Sequence, residues 1–145
     1  MSIEIEHKYL VKDLSYKLIA SESYRIIQGY LSKDSVRTVR IRVKDDRGFL
    51  TVKGQTINDC RTEFEYPIPV EDAYRMLEMC IQPLVKKTRS IVMYDGYKWE
   101  IDEFESPAKM IIAEIELDHS HHDYSIPDFI GDEVTGNPQY YNSNL

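Results

Sequence analysis

The chain has 145 residues, 42% of them hydrophobic and 30% charged, and a formal net charge of -7. That length fits a single domain, 1–145, with a sizeable core, and the composition excludes a disordered chain. The acidic balance argues against a duplex nucleic-acid or membrane-surface binder, which needs a net basic face, and leaves room for a small polyanion held by a local cluster of cations.

In chain order, IEIEHKY (3–9) alternates Glu4, Glu6 and Lys8 with Ile3, Ile5, His7 and Tyr9, the period of two of a β-strand. LVKDLSYKLIASE (10–22) predicts a short helix or turn, and IIQGYLS (26–32) a strand with weaker charge patterning. VRTVRIRV (36–43) puts Arg40 and Arg42 on one face and Val39, Ile41 and Val43 on the other, and FLTVKG (49–54) opposes Thr51 and Lys53 to Leu50 and Val52. The DDRG stretch (45–48) between them predicts a hairpin with glycine near its turn. TEFEYPI (62–68) sets Glu63 and Glu65 against Phe64 and Tyr66, with Pro67 and Pro69 ending the strand. VEDAYRMLEMC (70–80) predicts a helix, because Ala73, Met76, Leu77 and Cys80 share a face and Glu71 and Asp72 sit at its positive end. Pro83 forbids its continuation. VKKTRSI (85–91) carries Lys87 and Arg89 on one face, and YDGY (94–97) turns it into KWEIDEF (98–104), where Glu100 and Asp102 oppose Trp99 and Ile101. IIAEIEL (111–117) sets Glu114 and Glu116 against Ala113, Ile115 and Leu117. Beyond Asp118 the chain is polar: HSHHD (119–123) reads as a solvated loop, IPDFIGDEV (126–134) allows one helical turn, and the tail is irregular.

The expected fold is mainly β (α+β): an eight-stranded antiparallel barrel with one or two flanking helices. Any one of these strands reads as an ordinary sheet with its charges in water. Together they repeat same-sign pairs, E-x-E, R-x-R, K-x-R and E-x-D, and like charges side by side are destabilising unless something compensates. The alternative is a barrel whose interior is the charged face, with its apolar exterior covered by helices, loops or a partner subunit. That interior would hold six cations (Lys8, Arg40, Arg42, Lys53, Lys87, Arg89) and eight anions (Glu4, Glu6, Glu63, Glu65, Glu100, Asp102, Glu114, Glu116). Such a lining suits an anion with many oxygens carried with hard cations: carboxylates suit Mg2+ or Mn2+, and Arg and Lys suit phosphate.

The order of these motifs resembles the CYTH superfamily, the triphosphate tunnel metalloenzymes. The E-I-E-H-K start matches the ExExK signature, followed by Q-G-Y-L (28–31), R-I-R (40–42), T-V-K (51–53), E-F-E (63–65), K-T-R (87–89), W-E-I-D (99–102) and E-I-E (114–116). The endings G-D-E-V-T-G-N (131–137) and Y-N-S-N-L (141–145) are similar to those of the short bacterial members. The resemblance implies an eight-stranded tunnel that binds triphosphate with a divalent metal, Mg2+ or Mn2+, and splits inorganic triphosphate. Carried over, Lys8, Arg40, Arg42, Lys53, Lys87 and Arg89 would grip the triphosphate, Lys8 counting among the catalytic groups. Glu4, Glu6, Glu114 and Glu116 would hold metal, with Glu63, Glu65 and Asp102 as catalytic groups that position water or take its proton. Tyr140, Tyr141 and Asn142 would close one tunnel end. The alternatives are an organic triphosphate enzyme (a class IV-like adenylate cyclase, or a thiamine or nucleoside triphosphatase) and a non-catalytic polyphosphate-binding module; the many metal-ligand carboxylates argue against the last.

His7 falls on the parity opposite Glu4 and Glu6 and is read as a packed exterior residue, as are the tyrosines. Lys17 and Arg25 belong either to the tunnel mouth or to the solvated surface. No apolar run spans a membrane and no signal-peptide core is present, so the expected compartment is the cytoplasm. Cys60 and Cys80 are expected as reduced thiols, and the apolar outer face allows a homodimer.

Overall fold

The computed structural model describes residues 2–118 and 123–145. The HSHH run (119–122) lies outside the described residues. In order, the elements are β1 (Ser2–Val11), a 3-10 turn (Ser15–Leu18), β2 (Glu22–Ser32), β3 (Arg37–Lys44), β4 (Arg47–Gly54), β5 (Cys60–Ile68), α1 (Val70–Met79), β6 (Ile81–Tyr94), β7 (Tyr97–Ser106), β8 (Met110–Glu116) and β9 (Ile130–Glu133). Two further 3-10 turns follow, Pro138–Tyr140 and Asn142–Asn144.

The strands pair antiparallel in the order β5-β4-β3-β2-β6-β7-β8-β1, and a β1–β5 pairing closes the ring, giving the expected eight-stranded barrel. Both hairpin turns contain two residues. Asp95 and Gly96 both have positive φ, which matches the right-handed twist of the strands they join. In the other, Asp45 and Asp46 form the turn and Gly48 lies inside β4. Gly48 serves close packing: a Cβ there would come within 2.8 Å of the Ala73 Cβ on α1. Pro67 likewise lies within β5, paired with Phe49, and the strand runs on to Ile68.

The segment 126–134 differs from expectation. It forms a short strand, β9, and no helical turn. β8 occupies one edge of β1 along residues 6–10, and β5 covers the other only from Ser2 to Ile5. β9 fills the rest of that edge, pairing at Tyr9 and Val11.

The barrel is apolar outside and charged inside. The outward positions Ile5, Tyr9, Trp99, Ile101, Ala113 and Ile115 form one buried cluster, covered by Tyr16 of the first 3-10 turn and by Phe129. On the opposite wall Ile41 and Val43 of β3 are covered by Ala73 and Leu77 of α1. Fully burying each such Ile, Leu or Val contributes about 1.5–3 kcal/mol, so the stability of this fold comes from its outer shell. A third cluster lies within one end of the barrel: Val85, Phe104 and Ile112, on the same strand faces as Lys87, Asp102 and Glu114, pack with Tyr140 and Leu145. Apolar side chains and the C-terminal tail thus plug part of that end. Among the described residues no helix is long and apolar enough to cross a membrane.

Candidate active site

The lumen follows from register. In an antiparallel pair, directly opposed residues share a face. Glu6 opposes Glu116 and Lys8 opposes Glu114 across β1–β8, and Glu114 opposes Glu100 across β7–β8. Arg89 opposes Asp102 across β6–β7, Gln28 opposes Arg42 across β2–β3, and Lys53 opposes Glu63 across β4–β5. Ring closure brings these faces around two adjoining cavities of about 740 and 820 Å3, volumes that include their open mouths.

Twelve of the fourteen charged residues assigned to the interior line one or both cavities. Lys87 and Asp102 line neither: they share the inward face but are fully buried at a different depth along the strands, next to the apolar plug. Asp102 accepts from Lys87 Nζ at 2.7 Å, from Arg89 Nε at 2.7 Å and from Arg89 Nη2 at 2.8 Å. Burial pushes its carboxyl up, but the two cations dominate and hold it well below the ordinary carboxylate range. A carboxylate so occupied is a brace for Arg89, whose Nη1 also donates to Glu100 at 3.0 Å. Burial brings Lys87 down to about 7 despite Asp102.

The remaining charges divide the lumen into two sides. Glu4 is paired with Lys53 at 2.8 Å; burial opposes its ionisation, but Lys53 and a hydrogen bond from Glu63 hold it at about 2. Lys53 also lies 3.4 Å from Glu63, whose own carboxyl is raised by burial and by Glu4. Lys8 sits 3.5 Å from Glu114 and 3.8 Å from Glu6; burial disfavours its charge, yet these carboxylates raise it to about 12. Burial raises Glu114, but Lys8, Arg89 and Lys87 together outweigh it and lower the carboxyl below its usual value. Glu65 accepts from Thr51 Oγ1 at 3.0 Å and lies 3.5 Å from Arg40.

Two excesses are left. Glu4, Glu6 and Glu116 bring carboxylate oxygens within 4.8 Å of one another. Glu6 is pushed to about 8 by burial, then by Glu114 and Glu4, and Glu116 to about 7 by burial, then by Glu100 and Glu4. Carboxylates this crowded favour either a proton or a hard cation between them. Facing them, Arg42 has no carboxylate within ion-pair distance among the described residues, and its Nε donates to Gln28 Oε1 at 2.9 Å. Burial, Arg40 and Arg89 depress Arg42 to about 10. The lumen therefore has an anionic side short of cations and a cationic side short of anions, the arrangement that a metal-bound polyanion satisfies. Of the four expected metal ligands, Glu4, Glu6 and Glu116 cluster, Glu4 already paired with Lys53, while Glu114 lies outside the cluster, 3.5 Å from Lys8.

Several residues lay outside the charge pattern. Tyr24 and Tyr30 of β2 line the cavities, a correction to the expectation that the tyrosines pack outside. Gln28, fully buried, orients Arg42 and leaves its Nε2 without a partner. Only the unusual QGYL run hinted at β2, whose inward positions are neutral. Lys17 and Arg25 pair with Glu103 and Glu105, and neither lines a cavity, so both belong to the outer surface. His7 is packed on the exterior, between Tyr124 Oη at 2.8 Å and Asp59 Oδ2 at 2.9 Å. The tail reaches the site: Lys8 Nζ donates to the Tyr140 carbonyl at 3.2 Å, and Tyr141 and Asn142 line the cavities.

Comparison with known proteins gives a consistent picture. The CYTH domain family model matches residues 2–143. The chain is 45% identical over 148 residues to an inorganic triphosphatase of Acetivibrio thermocellus, covering 100% of this chain and 94% of that protein. The crystal structure of the inorganic triphosphatase NE1496 superposes with a TM-score of 0.67 at 28% identity, over 99% of this chain and 94% of that one. A conserved hypothetical protein from Pyrococcus furiosus shares the fold at 22% identity, with a TM-score of 0.64 over 81% and 80% of the two chains.

Proposed function

The chain belongs to the CYTH domain family, and on that premise we propose that it is a divalent-metal-dependent inorganic triphosphatase. Residues 1–145 act as one tunnel domain and split triphosphate into diphosphate and phosphate. The observation that carries this reading is the pairing of an acidic cluster, Glu4, Glu6 and Glu116, with a cationic wall, Arg40 and Arg42, around one cavity of the lumen. The identity to a curated inorganic triphosphatase supports the same substrate.

Glu4, Glu6 and Glu116 hold the metal, Mg2+ or Mn2+, which supplies Lewis acidity toward phosphoryl oxygens. Phosphoryl transfer asks the protein chiefly for positioning and charge neutralisation. Arg40, Arg42, Lys53 and Arg89 grip the phosphate oxygens along the lumen. Lys8, fixed by Glu114 and the Tyr140 carbonyl, faces the phosphoryl group under attack. Water attacks the terminal phosphorus in line with the departing diphosphate, and Glu63 accepts its proton once that carboxyl has given up the proton it shares with Glu4; burial and Glu4 raise its basicity. Glu65 aligns Arg40. Asp102, itself held by Lys87, orients Arg89 from beside the cavities. The substrate is a free triphosphate, with no duplex nucleic acid or membrane as partner, and the apolar outer face allows a homodimer. The cytoplasm suits Cys60 and Cys80, which are thiols in the structure.

The deciding experiment offers inorganic triphosphate, ATP and thiamine triphosphate side by side with Mg2+ and with Mn2+. Phosphate release from inorganic triphosphate well ahead of the others supports the proposal. Cyclic AMP and diphosphate from ATP would replace it with a cyclase, and binding without turnover would leave only a polyphosphate-binding module.

A further inference from the structure

Five residues line both cavities and so mark the place where they meet: Glu4, Glu6, Arg40, Lys53 and Asn142. Four are charged side chains on barrel strands, and Lys53 and Glu4 are already paired. Asn142 differs from them. It is neutral and half-buried, it comes from the final 3-10 turn, and among the described residues no side chain or backbone group hydrogen-bonds its carboxamide. Its position is nonetheless fixed. Tyr140 and Leu145, on either side, pack against the Val85–Phe104–Ile112 cluster. The Tyr140 carbonyl accepts from Lys8 Nζ, and Asn144 Nδ2 donates to the Pro138 carbonyl at 2.9 Å. A side chain held by its neighbours, bare of partners and set among two carboxylates and two cations has the form of a ligand contact. A carboxamide there can donate to a phosphoryl oxygen without adding to either charge excess.

We propose that Asn142 is a further substrate-contact residue, its Nδ2 donating to a phosphoryl oxygen at the junction of the two cavities, so that the C-terminal tail forms part of the active site. This rests on the triphosphatase reading above. A hydrogen bond to a charged partner is worth about 1.5–3 kcal/mol, which corresponds to a loss of roughly 10- to 150-fold in kcat/KM when it is removed.

The test uses Asn142→Ala and Asn142→Asp in the full-length protein, with triphosphate turnover, triphosphate binding by calorimetry and the unfolding midpoint measured on each. Asparagine and aspartate are nearly isosteric, so a packing role survives Asn142→Asp. A contact to phosphate does not, because the new carboxylate accepts only and stands beside Glu4 and Glu6. The expected result is a loss of about tenfold or more in kcat/KM for Asn142→Ala, a larger loss for Asn142→Asp, and unfolding midpoints close to the parent's. An active parent with both variants at the parent's kcat/KM overturns the inference and leaves the triphosphatase reading intact. A parent that binds triphosphate without turning it over removes that reading, and the inference then stands or falls on whether Asn142→Asp weakens binding. A parent that neither binds nor hydrolyses triphosphate overturns both.

Discussion

Arg89 and Asp102 meet edge to edge inside the barrel wall, Nε to Oδ1 at 2.7 Å and Nη2 to Oδ2 at 2.8 Å, with the carboxylate fully buried. Removing one partner of such a pair leaves an uncompensated buried charge, and here two cations lose their common acceptor. Asp102→Ala should therefore lower stability by about 3–5 kcal/mol in denaturant unfolding. Asp102→Asn, which keeps the shape, should fold better and still lose most activity, because the guanidinium loses its fixed orientation. An Asp102→Ala protein as stable as the parent would rule out the brace.

Gln28 and Arg42 give a quieter prediction. Gln28→Leu keeps the bulk, deletes the acceptor that orients Arg42 and also removes a buried Nε2 that has no partner. The two stability effects oppose each other, so the unfolding midpoint should move little. The KM for triphosphate should rise about tenfold or more as the guanidinium loses its alignment. A lowered midpoint with an unchanged KM would make Gln28 a packing residue only.

The acidic cluster predicts the pH dependence. Glu6, at about 8, and Glu116, at about 7, both start from an ordinary value of 4.5. Between pH 5 and 7 the folded chain holds more protons than the unfolded chain, so metal-free stability should fall as pH rises through that window. Lys87, lowered to about 7, works in the opposite direction above it, which makes 5 to 7 the clean interval. Carboxylates must lose their protons to bind a cation, so apparent metal affinity should rise from pH 5 to 8. Thermal melts with chelator and with added Mn2+ across that range check both signs. Metal-free melts that climb steadily from pH 5 to 7 would contradict them.

Gly48→Ala tests the outer shell separately from the site. The added methyl meets Ala73 of α1 at 2.8 Å and the Ile68 carbonyl at 3.0 Å. Overpacking of this kind costs about 1–3 kcal/mol. The variant should melt earlier while KM and metal dependence stay at the parent's values. A changed KM would mean that α1 communicates with the lumen.

Charge parity made the lumen readable in advance, because strand geometry fixes the side-chain period at two whatever the barrel's closure. Parity put Glu4, Glu6, Arg40, Arg42 and Glu116 on one strand face, and the repeated same-sign pairs and the family resemblance then made that face the interior. Parity gives the face of a strand and no depth along it, so Lys87 and Asp102 could not be separated from the residues that line the cavities. Neutral inward positions carry no such mark, which hid Tyr24, Gln28 and Tyr30. β9 was unreadable for another reason: IGDE is a strand because β5 stops pairing at Ile5 and leaves part of the β1 edge open, a tertiary circumstance. Asn142 sits in a tail with no period at all.

The position of β1 in the ring has a consequence for how the chain is made. Its partners are β5, β8 and β9, at residues 60–68, 110–116 and 130–133. As the chain emerges from a ribosome, the first strand waits for β5 to cover part of one edge and for β8 and β9 to complete both, and until then Ile5 and Tyr9, buried in the finished barrel, stay exposed. Contacts this distant in sequence slow folding and prolong exposure of an unpaired edge. The alternating Glu4, Glu6 and Lys8 that later line the lumen would, during that interval, discourage the same strand from pairing with a neighbouring nascent chain.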